Sequence, residues 1–264
     1  MLFCKNFNVR MKEAKTFFGL LSIVVLLGVS GQPAGAGGIE AMQNNIYEAY
    51  VLSDIPLWER TLDDMKAMYA RIPSNGLLYD MLLAQYGLIG YYLGTDQNAQ
   101  ARAHLDVAEG HASRLAGVAA YEVTAWLFQS AFLAFRINLR PMQAVRLGPR
   151  SYRLIDQAME ADPGYARVWV EKANAAFYTP SVFGGDRPGS VGHYQEAIRL
   201  FEAGMANNHR WLYLSTLVAL ANAQKANGDL AGAIRTLEKA LRFEPRFGWV
   251  RDELLPEYRR SLSR

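Results

Sequence analysis

Cysteine is nearly absent from this chain. Cys4 is the single cysteine among 264 residues, and it precedes the apolar stretch Phe17–Val29, so it is not placed as a lipoprotein acylation site. Beyond residue 36 the chain has no cysteine at all. Disulfides, a thiolate nucleophile and cysteine metal ligands are therefore excluded from that part. An apolar core must hold it together, and a chain of roughly 225 residues is long enough to build one.

An excess of positive charge is absent as well. The whole chain has 28 basic and 25 acidic side chains, but residues 1–36 hold four of the basic ones and Glu13. The remainder has 24 of each sign, and its formal net charge is zero. A nucleic-acid-binding protein needs lysine and arginine to neutralise phosphates. The charge balance therefore predicts that nucleic acid is not a partner.

The longest apolar run, Phe17–Val29, has the layout of a targeting signal. Basic residues precede it, and Ala34-Gly35-Ala36 follows it as a small-residue cleavage site. Its 13 residues are fewer than the roughly 20 that a membrane-spanning helix needs. We predict a secretory signal peptide over residues 1–36, a mature domain over 37–264, export to the periplasm and no stable membrane insertion after cleavage. An uncleaved anchor and a start at Met11 are the alternatives.

Strand patterns, in which apolar and polar residues alternate, are also missing, and helical patterns take their place. In Leu214–Phe247, two amphipathic segments flank the turn Asn227-Gly228-Asp229. Small or apolar residues recur in the second segment at offsets of zero, four and seven, with a proline five residues later: Ala233, Leu237, Ala240 and Pro245. This spacing is typical of a 34-residue tetratricopeptide repeat (TPR) unit. Such a unit cannot bury its own apolar face, so we expect similar neighbours.

The same triplet pattern predicts five helical hairpins in all. They cover Ile39–Ile72, Leu77–Leu115, Val118–Ala161, Tyr165–Ala206 and Leu214–Phe247. The first four triplets are Thr61, Met65 and Met68; Ala101, Leu105 and Ala108; Ser151, Ile155 and Ala158; and Ala197, Phe201 and Gly204. Apolar residues beyond Pro245 predict a last helix that caps the stack. The predicted fold is an all-α, TPR-like superhelical solenoid.

Two of these hairpins are longer than the repeat. The extra residues lie around Asn138–Arg150 in the third hairpin and around Thr179–His193 in the fourth. Both insertion loops fall between a first and a second helix, so we expect them at the same edge of the stack. Insertions in solenoids often map to the binding face.

The insertions carry an ordered set of short motifs. In chain order these are Ala134-Phe135-Arg136, Pro141-Met142, Gly148-Pro149, Asp162-Pro163, Tyr178-Thr179-Pro180 and Phe183-Gly184-Gly185. The set resembles a group of exported bacterial TPR proteins common in Bacteroidetes, although this chain inserts Asp186–Val191 before the next helix. The resemblance implies a TPR fold and an exported location, without an established activity. Gly184, Gly185 and Asp186 also give a weaker similarity to the T component of TRAP transporters, a periplasmic TPR-like protein.

The sequence offers little for catalysis or metal binding. His104 and His111 are seven residues apart, but a zinc site needs three or four convergent ligands. Gly184-Gly185-Asp186 lacks the preceding strand and the Lys-Ser or Lys-Thr of a phosphate loop. We therefore interpret it as a turn that needs positive φ, which glycine adopts without steric cost. We expect no enzyme activity, no cofactor and no metal.

A binding groove is the better functional candidate. By the resemblance to TPR domains, the first helix of each hairpin lines a concave surface. The residues projected there are Asp80, Glu122, Trp126, Gln129, Arg167, Asn174, Tyr178, Asn222 and Lys225. Asn174 and Asn222 occupy equivalent places, where TPR domains that clamp a peptide carboxylate have backbone-binding asparagines. Arg167 or Lys225 would pair with that carboxylate.

Other interpretations of these residues remain open at this stage. The polar ones would be ordinary solvated side chains, and Trp126 and Tyr178 would pack between hairpins. The insertion loops set Arg140, Arg146, Arg150 and Arg187 against Asp186, which would suit an acidic partner. Alternatively, the loops only cover the end of the groove, with Phe183 plugged between helices.

We predict a periplasmic scaffold that binds a protein or peptide partner in its groove. The alternative is a solute-binding accessory protein of a transporter, in which the two loops close the groove into an enclosed apolar pocket. That pocket would be lined by Trp126, Phe177, Tyr178 and Phe183.

Overall fold

A computed structural model describes residues 36–204 and 210–263 of the chain. Every regular element within these ranges is helical, which confirms the all-α prediction. Ten helices pair as the five predicted hairpins, with bounds α1 Ala36–Leu52, α2 Ile55–Arg71, α3 Asn75–Gly94, α4 Asn98–Leu115, α5 Glu122–Leu139, α6 Ala144–Ala161, α7 Ala166–Tyr178, α8 Arg187–Gly204, α9 Arg210–Ala226 and α10 Leu230–Phe243. Residues 1–35 of the predicted signal and the end of the fourth predicted hairpin lie outside the described residues.

The residue triplets that identified the second helices are the residues that those helices bury. In α4 and α10 all three members of the triplet are fully buried. Offsets of zero, four and seven place the three side chains on one helical face, and small residues there let the partner helix approach closely. Met68 in α2 is only half-buried and Gly204 in α8 is exposed, so the triplet pattern does not predict full burial at these two positions.

Short polar turns end one helix and begin the next. Asp54 and Asp229 accept hydrogen bonds from backbone N–H groups three residues later, at 2.9 Å and 2.7 Å, and so cap α2 and α10. Gly228 has φ 87°, a left-handed conformation that glycine adopts without strain. The turn predicted at Asn227-Gly228-Asp229 is confirmed.

Two of the first helices lie in the interior of the molecule. Helix α9 is buried without interruption from Trp211 to Ala221, and α3 is buried along most of the stretch from Leu77 to Tyr92. A helix that is apolar on all sides has to be enclosed by other elements. The first helices therefore build the core, and α3 and α9 do not line an open groove.

The first and last hairpins contact each other through α1 and α9. The Tyr47 hydroxyl donates to Glu244 Oε2 at 2.8 Å, and Arg246 donates to both carboxylate oxygens of Glu48 at 2.8 and 2.9 Å. Hydrogen bonds from Arg246 lower the pKa of the Glu244 carboxyl to about 2. The row of hairpins closes on itself, so the first helices do not line the concave surface that the sequence predicted.

A last helix follows the fifth hairpin, as predicted. A π-helical turn over Val250–Leu254 continues into α11, Leu255–Leu262. Leu254, Leu255 and Tyr258 are buried against the preceding elements. None of the described helices combines the length and the apolar character that crossing a membrane requires.

The two insertions are mostly helical, which corrects their description as loops. Pro141 opens a short 3-10 turn and α6 begins at Ala144, so Pro149 lies inside a helix and removes one intrahelical hydrogen bond. A second 3-10 turn, Ser181–Phe183, ends at Gly184 with φ 90°, and α8 begins at Arg187. The positive φ predicted for the Gly-Gly turn is confirmed at Gly184.

Both insertions lie at one edge of the molecule. The Tyr152 hydroxyl in the middle of α6 donates to the Ala175 carbonyl near the end of α7, at 3.3 Å. Asn227 at the α9–α10 turn donates to the Arg187 carbonyl at the start of α8, at 3.0 Å. The first bond holds α6 against the end of α7, and the second holds the connections of the fourth and fifth hairpins side by side.

Candidate functional site

An aromatic pocket lies where the first and last hairpins meet. Its volume is about 720 Å³, which includes solvent at its mouth. Seven aromatic side chains line it: Tyr50, Trp58, Tyr91, Tyr178, Trp211, Phe247 and Trp249. They come from α1, α2, α3, α7, α9 and the segment after α10, so the pocket depends on the closed arrangement of the hairpins.

The inner wall of this pocket is formed by Trp58 and Trp211. Their rings meet edge to face at 5.3 Å, and Trp58 Nε1 donates to the Ala84 carbonyl of α3 at 3.0 Å. Gly87 of α3 lies against both rings: a Cβ there would be 2.6 Å from Trp58 Cζ2 and 2.8 Å from Trp211 Cη2. The missing side chain is therefore what allows α3 to approach the two indoles.

Gly87→Ala is expected to destabilise the fold by about 1–3 kcal/mol, because the new methyl group must displace both indoles from a packed wall. Chemical denaturation measures this loss. Gly110 in α4 is a matched control, since nothing lies within 4 Å of a Cβ built there. Gly110→Ala should stabilise by up to about 1 kcal/mol, through helix propensity alone. Equal effects of the two substitutions would contradict the close contact at Gly87.

Few polar groups face the pocket. Among the described lining residues these are Ser53, Ser215 and Asn222 together with the tyrosine hydroxyls, and none of the lining side chains is charged. The Ser215 hydroxyl is buried and has no hydrogen-bond partner among the described residues. A mostly apolar cleft with a small number of polar groups is the usual form of a small-molecule site.

Tyr178 and Asn222 are the two predicted groove residues that line this pocket. The Asn222 side-chain oxygen accepts a hydrogen bond from the Tyr258 hydroxyl of α11. Lys225, one turn further along α9, donates to Glu257 Oε1 at 2.8 Å and lies over the Tyr258 ring at 4.0 Å. Helix α11 thus occupies Asn222, which was expected to bind a peptide backbone, and Lys225, which was expected to pair with the peptide carboxylate.

Three other predicted groove residues are held by contacts within the protein, because α3, α5 and α7 pack together where a groove was expected; two are buried and Asn174 is half-buried. Asp80 is buried and accepts a hydrogen bond from Gln43 at 2.9 Å. Asn174 accepts one from the Tyr194 hydroxyl at 2.7 Å, and it links α7 to α8. Arg167 is fully buried. Their prediction as groove residues is corrected accordingly.

The surroundings of Arg167 are unusual for a charged side chain. Its guanidinium carbon lies 4.0 Å from the centre of the Phe128 ring, and Nη2 is 3.7 Å from Glu171 Oε1. None of its three guanidinium nitrogens has a hydrogen-bond acceptor among the described residues. Burial raises the pKa of the Glu171 carboxyl, and the nearby Arg167 charge opposes that shift. The pair is therefore only partly satisfied inside the core.

The remaining predicted residues lie away from the pocket. Trp126 packs in a small cluster with Leu127, Ala158 and Val168, which confirms the packing alternative. Glu122 is exposed in the first turn of α5, and Gln129 is half-buried on the same helix. Phe177 is buried in the main core, and Phe183 is 58% exposed and does not plug between helices. Of the predicted solute-pocket residues, Tyr178 alone belongs to the described pocket lining.

The charged residues of the insertions are divided between two places. Arg140 and Arg146 line a second cleft, formed by α4, α5 and the start of α6. Asp186 instead accepts a hydrogen bond from the Gly189 N–H at 3.0 Å and caps α8. Arg187 lies over the Phe177 ring at 5.5 Å. The second cleft therefore gathers two of the four arginines that were grouped from the sequence.

Sequence reasoning missed most of the pocket, including Tyr50, Trp58 and Trp211. The available signal was the clustering of tryptophan and tyrosine near both ends of the chain. A repeat pattern cannot place those ends together, since each repeat is assigned contacts only with its neighbours.

No protein family matches this chain, and no curated protein matches it. Its fold is similar to that of the solved structure of the HusA haemophore from Porphyromonas gingivalis, with a TM-score of 0.60 and 17% sequence identity. The similarity covers 74% of this chain and 96% of that one. At this level of identity the similarity establishes a shared fold and nothing finer.

Proposed function

We propose that this protein binds a flat, largely apolar small molecule in the aromatic pocket. The observation that carries the proposal is the convergence of seven aromatic side chains on one cleft between the joined ends of the chain. Indole and phenol rings gain affinity for flat ring systems by offset stacking and edge-to-face contacts. The protein is then a carrier, and we propose no catalytic role, because the tyrosines are the only titratable side chains of the described lining.

A porphyrin-type ring is the ligand class that we propose first. The similar solved structure is named a haemophore, and the pocket of this chain is lined largely by aromatic rings, on which a flat macrocycle can stack. The described lining contains no histidine, cysteine or methionine, so Tyr50, Tyr91 and Tyr178 are the side chains there of a type that ligates haem iron. None of the described lining residues is positively charged, so carboxylates of such a ligand would remain at the mouth of the pocket.

Tryptophan fluorescence tests the proposal directly. Titration with metal-free protoporphyrin should quench the fluorescence of Trp58, Trp211 and Trp249, which line the pocket. The fluorescence of Trp126 and Trp169, which lie outside the pocket, should be quenched far less. A variant with Trp126 and Trp169 both replaced by phenylalanine isolates the pocket signal. The dissociation constants of haemin and of the metal-free ring should agree within about tenfold, a difference of about 1.4 kcal/mol, because stacking contributes most of the binding free energy. Absence of saturable quenching by either compound would remove the ligand proposal.

A peptide partner in a groove is less well supported than the pocket ligand. The two asparagines expected to bind a peptide backbone, Asn174 and Asn222, are bonded to Tyr194 and Tyr258. The arginine expected to pair with its carboxylate is buried. These contacts favour the solute-binding alternative over the peptide scaffold.

We also propose that the hairpins are TPR-like and that residues 1–36 direct export to the periplasm. The buried triplets and the five pairs of helices support the first point, and the apolar run before Ala34-Gly35-Ala36 supports the second. N-terminal sequencing of the protein recovered from the periplasm should begin at Gly37. A periplasmic protein that begins at Met1 or Met11 would contradict cleavage.

A further inference from the structure

A second cleft lies between α4, α5 and the start of α6, apart from the aromatic pocket. Its volume is about 630 Å³, which includes open solvent. Four of its nine lining residues are arginines, and one is acidic: Arg102, Glu109, Leu133, Arg136, Leu139, Arg140, Gln143, Arg146 and Leu147. The chain beyond residue 36 has no net charge, so this concentration of positive charge is local.

The two acidic groups near this cleft, Glu109 and Asp106, are both bound by one of its four arginines, which offsets one of their two negative charges. Arg136 donates to both carboxylate oxygens of Glu109, at 2.8 and 2.7 Å, and also to Asp106. Arg102, Arg140 and Arg146 have no acidic partner within the described part of the chain. Three unpaired guanidinium groups around one concave surface repel one another, and an anion in the cleft would relieve that repulsion.

The start of α6 adds to the positive character of the cleft. Gln143 is the N-cap residue of this 18-residue helix, lines the cleft, and makes no side-chain capping hydrogen bond. The N-terminus of a helix carries a partial positive charge and favours anions, phosphates in particular. Guanidinium groups match a phosphate with two parallel hydrogen bonds. Both features of the cleft therefore suit the same ligand group.

Exposed apolar side chains lie directly beside the arginines. Met142 is 94% exposed and Val145 is 78% exposed, and they alternate along the chain with Arg140, Gln143 and Arg146. Apolar side chains that protrude from a turn next to basic ones are the arrangement of a protein segment that lies at a lipid surface. Val182 and Phe183, also exposed, protrude from the neighbouring turn at the same edge.

We propose that this cleft binds the phosphate group of an anionic lipid headgroup, with Met142 and Val145 inserted among the lipids beside it. The edge that carries the cleft also carries the end of α7, whose last residue, Tyr178, lines the aromatic pocket. A protein bound in this way presents one end of its pocket to the membrane surface. The proposal does not depend on the identity of the pocket ligand.

The test uses the full chain with Cys4→Ser and Val145→Cys, and an environment-sensitive dye is attached to the new cysteine. The dye reports insertion at position 145 itself, separately from any membrane binding by the N-terminal segment. Vesicles of phosphatidylcholine with an equal amount of phosphatidylglycerol should shift the dye emission to the blue, and pure phosphatidylcholine should not. Arg140→Gln with Arg146→Gln should weaken partitioning about 30-fold, because each basic residue near an anionic surface contributes on the order of a factor of five. A dye on Ala231→Cys in α10 should not respond.

A matched control removes the same charge elsewhere. Arg235→Gln with Arg242→Gln takes two exposed arginines from α10 and should leave partitioning within about threefold of the starting protein. If both double variants lose partitioning to the same extent, or if the dye shows no blue shift on the anionic vesicles, the proposal is overturned. Binding of an acidic protein at this edge would not rescue it. Competition by soluble glycerol phosphate, without any vesicle response, would reassign the cleft to free phosphate compounds and would also overturn it.

Discussion

Arg167→Met is expected to lower the free energy of unfolding by about 3–5 kcal/mol, since it leaves the buried Glu171 carboxylate without a counter-charge. Both side chains lie in the interior, and the guanidinium is 3.7 Å from the carboxylate. Urea denaturation at neutral pH measures the loss. Replacing both members of the pair, Arg167→Met with Glu171→Met, should restore the starting stability or exceed it by about 1–4 kcal/mol, because neither side chain forms a full set of hydrogen bonds.

The pH dependence of the single variant separates lost charge pairing from lost packing. Burial already raises the pKa of Glu171 in the folded protein, and removing Arg167 raises it further. A carboxyl whose folded pKa lies above its unfolded value of about 4.3 destabilises the fold at high pH. The deficit should therefore be complete above the folded pKa and vanish as the pH falls below about 4.3. A deficit that stays constant between neutral and acidic pH would instead indicate a packing defect.

Tyr178→Ala combined with Trp249→Ala should weaken protoporphyrin binding by at least about 30-fold. Both side chains line the pocket, and stacking of a flat ligand on an aromatic ring contributes about 1–3 kcal/mol per ring. Both side chains are only half-buried, so the melting temperature should fall far less than for the buried Trp58 or Trp211. Fluorescence titration and thermal unfolding of the same samples give the two quantities.

The control for this pair is Trp169→Ala. Trp169 is also a partly buried indole on α7, where its Nε1 donates to the Pro163 carbonyl at 2.8 Å, outside the pocket. Its loss should leave protoporphyrin affinity unchanged. If the Trp169 variant and the Tyr178/Trp249 variant lose affinity to the same extent, the ligand does not bind in the aromatic pocket.

Much of the fold could be predicted because its signals are local. The triplet Ala233, Leu237 and Ala240 lies on one face of α10, and Asp229 caps that helix, so spacing and turn chemistry were enough to define the hairpin. The insertions were harder. Their glycines and prolines indicated loops, yet α6 accommodates Pro149 and α8 begins within the second insertion. Tertiary packing outweighed local propensity at these positions.

Only some of the residues that the sequence predicted for the site line the pocket. Tyr178 and Asn222 were predicted to bind a ligand and do line the pocket, whereas Arg167 is buried and the half-buried Asn174 is bonded to Tyr194. The projection assumed that first helices face an open concave surface. In this protein α3 and α9 fill that space, because their apolar residues occupy every side of the helix and must be enclosed.

The sequence by itself determined the helices, their pairing into hairpins and the turns between them, since each of these depends on residues within a few positions of one another. Only the tertiary structure decided that the first and last hairpins meet. The Tyr47–Glu244 hydrogen bond that joins them spans 197 positions of the chain, and no periodic pattern specifies a contact at that distance. The aromatic pocket is a product of that closure, because Tyr50 and Trp58 face Trp211 and Phe247 only when the two ends of the chain are together.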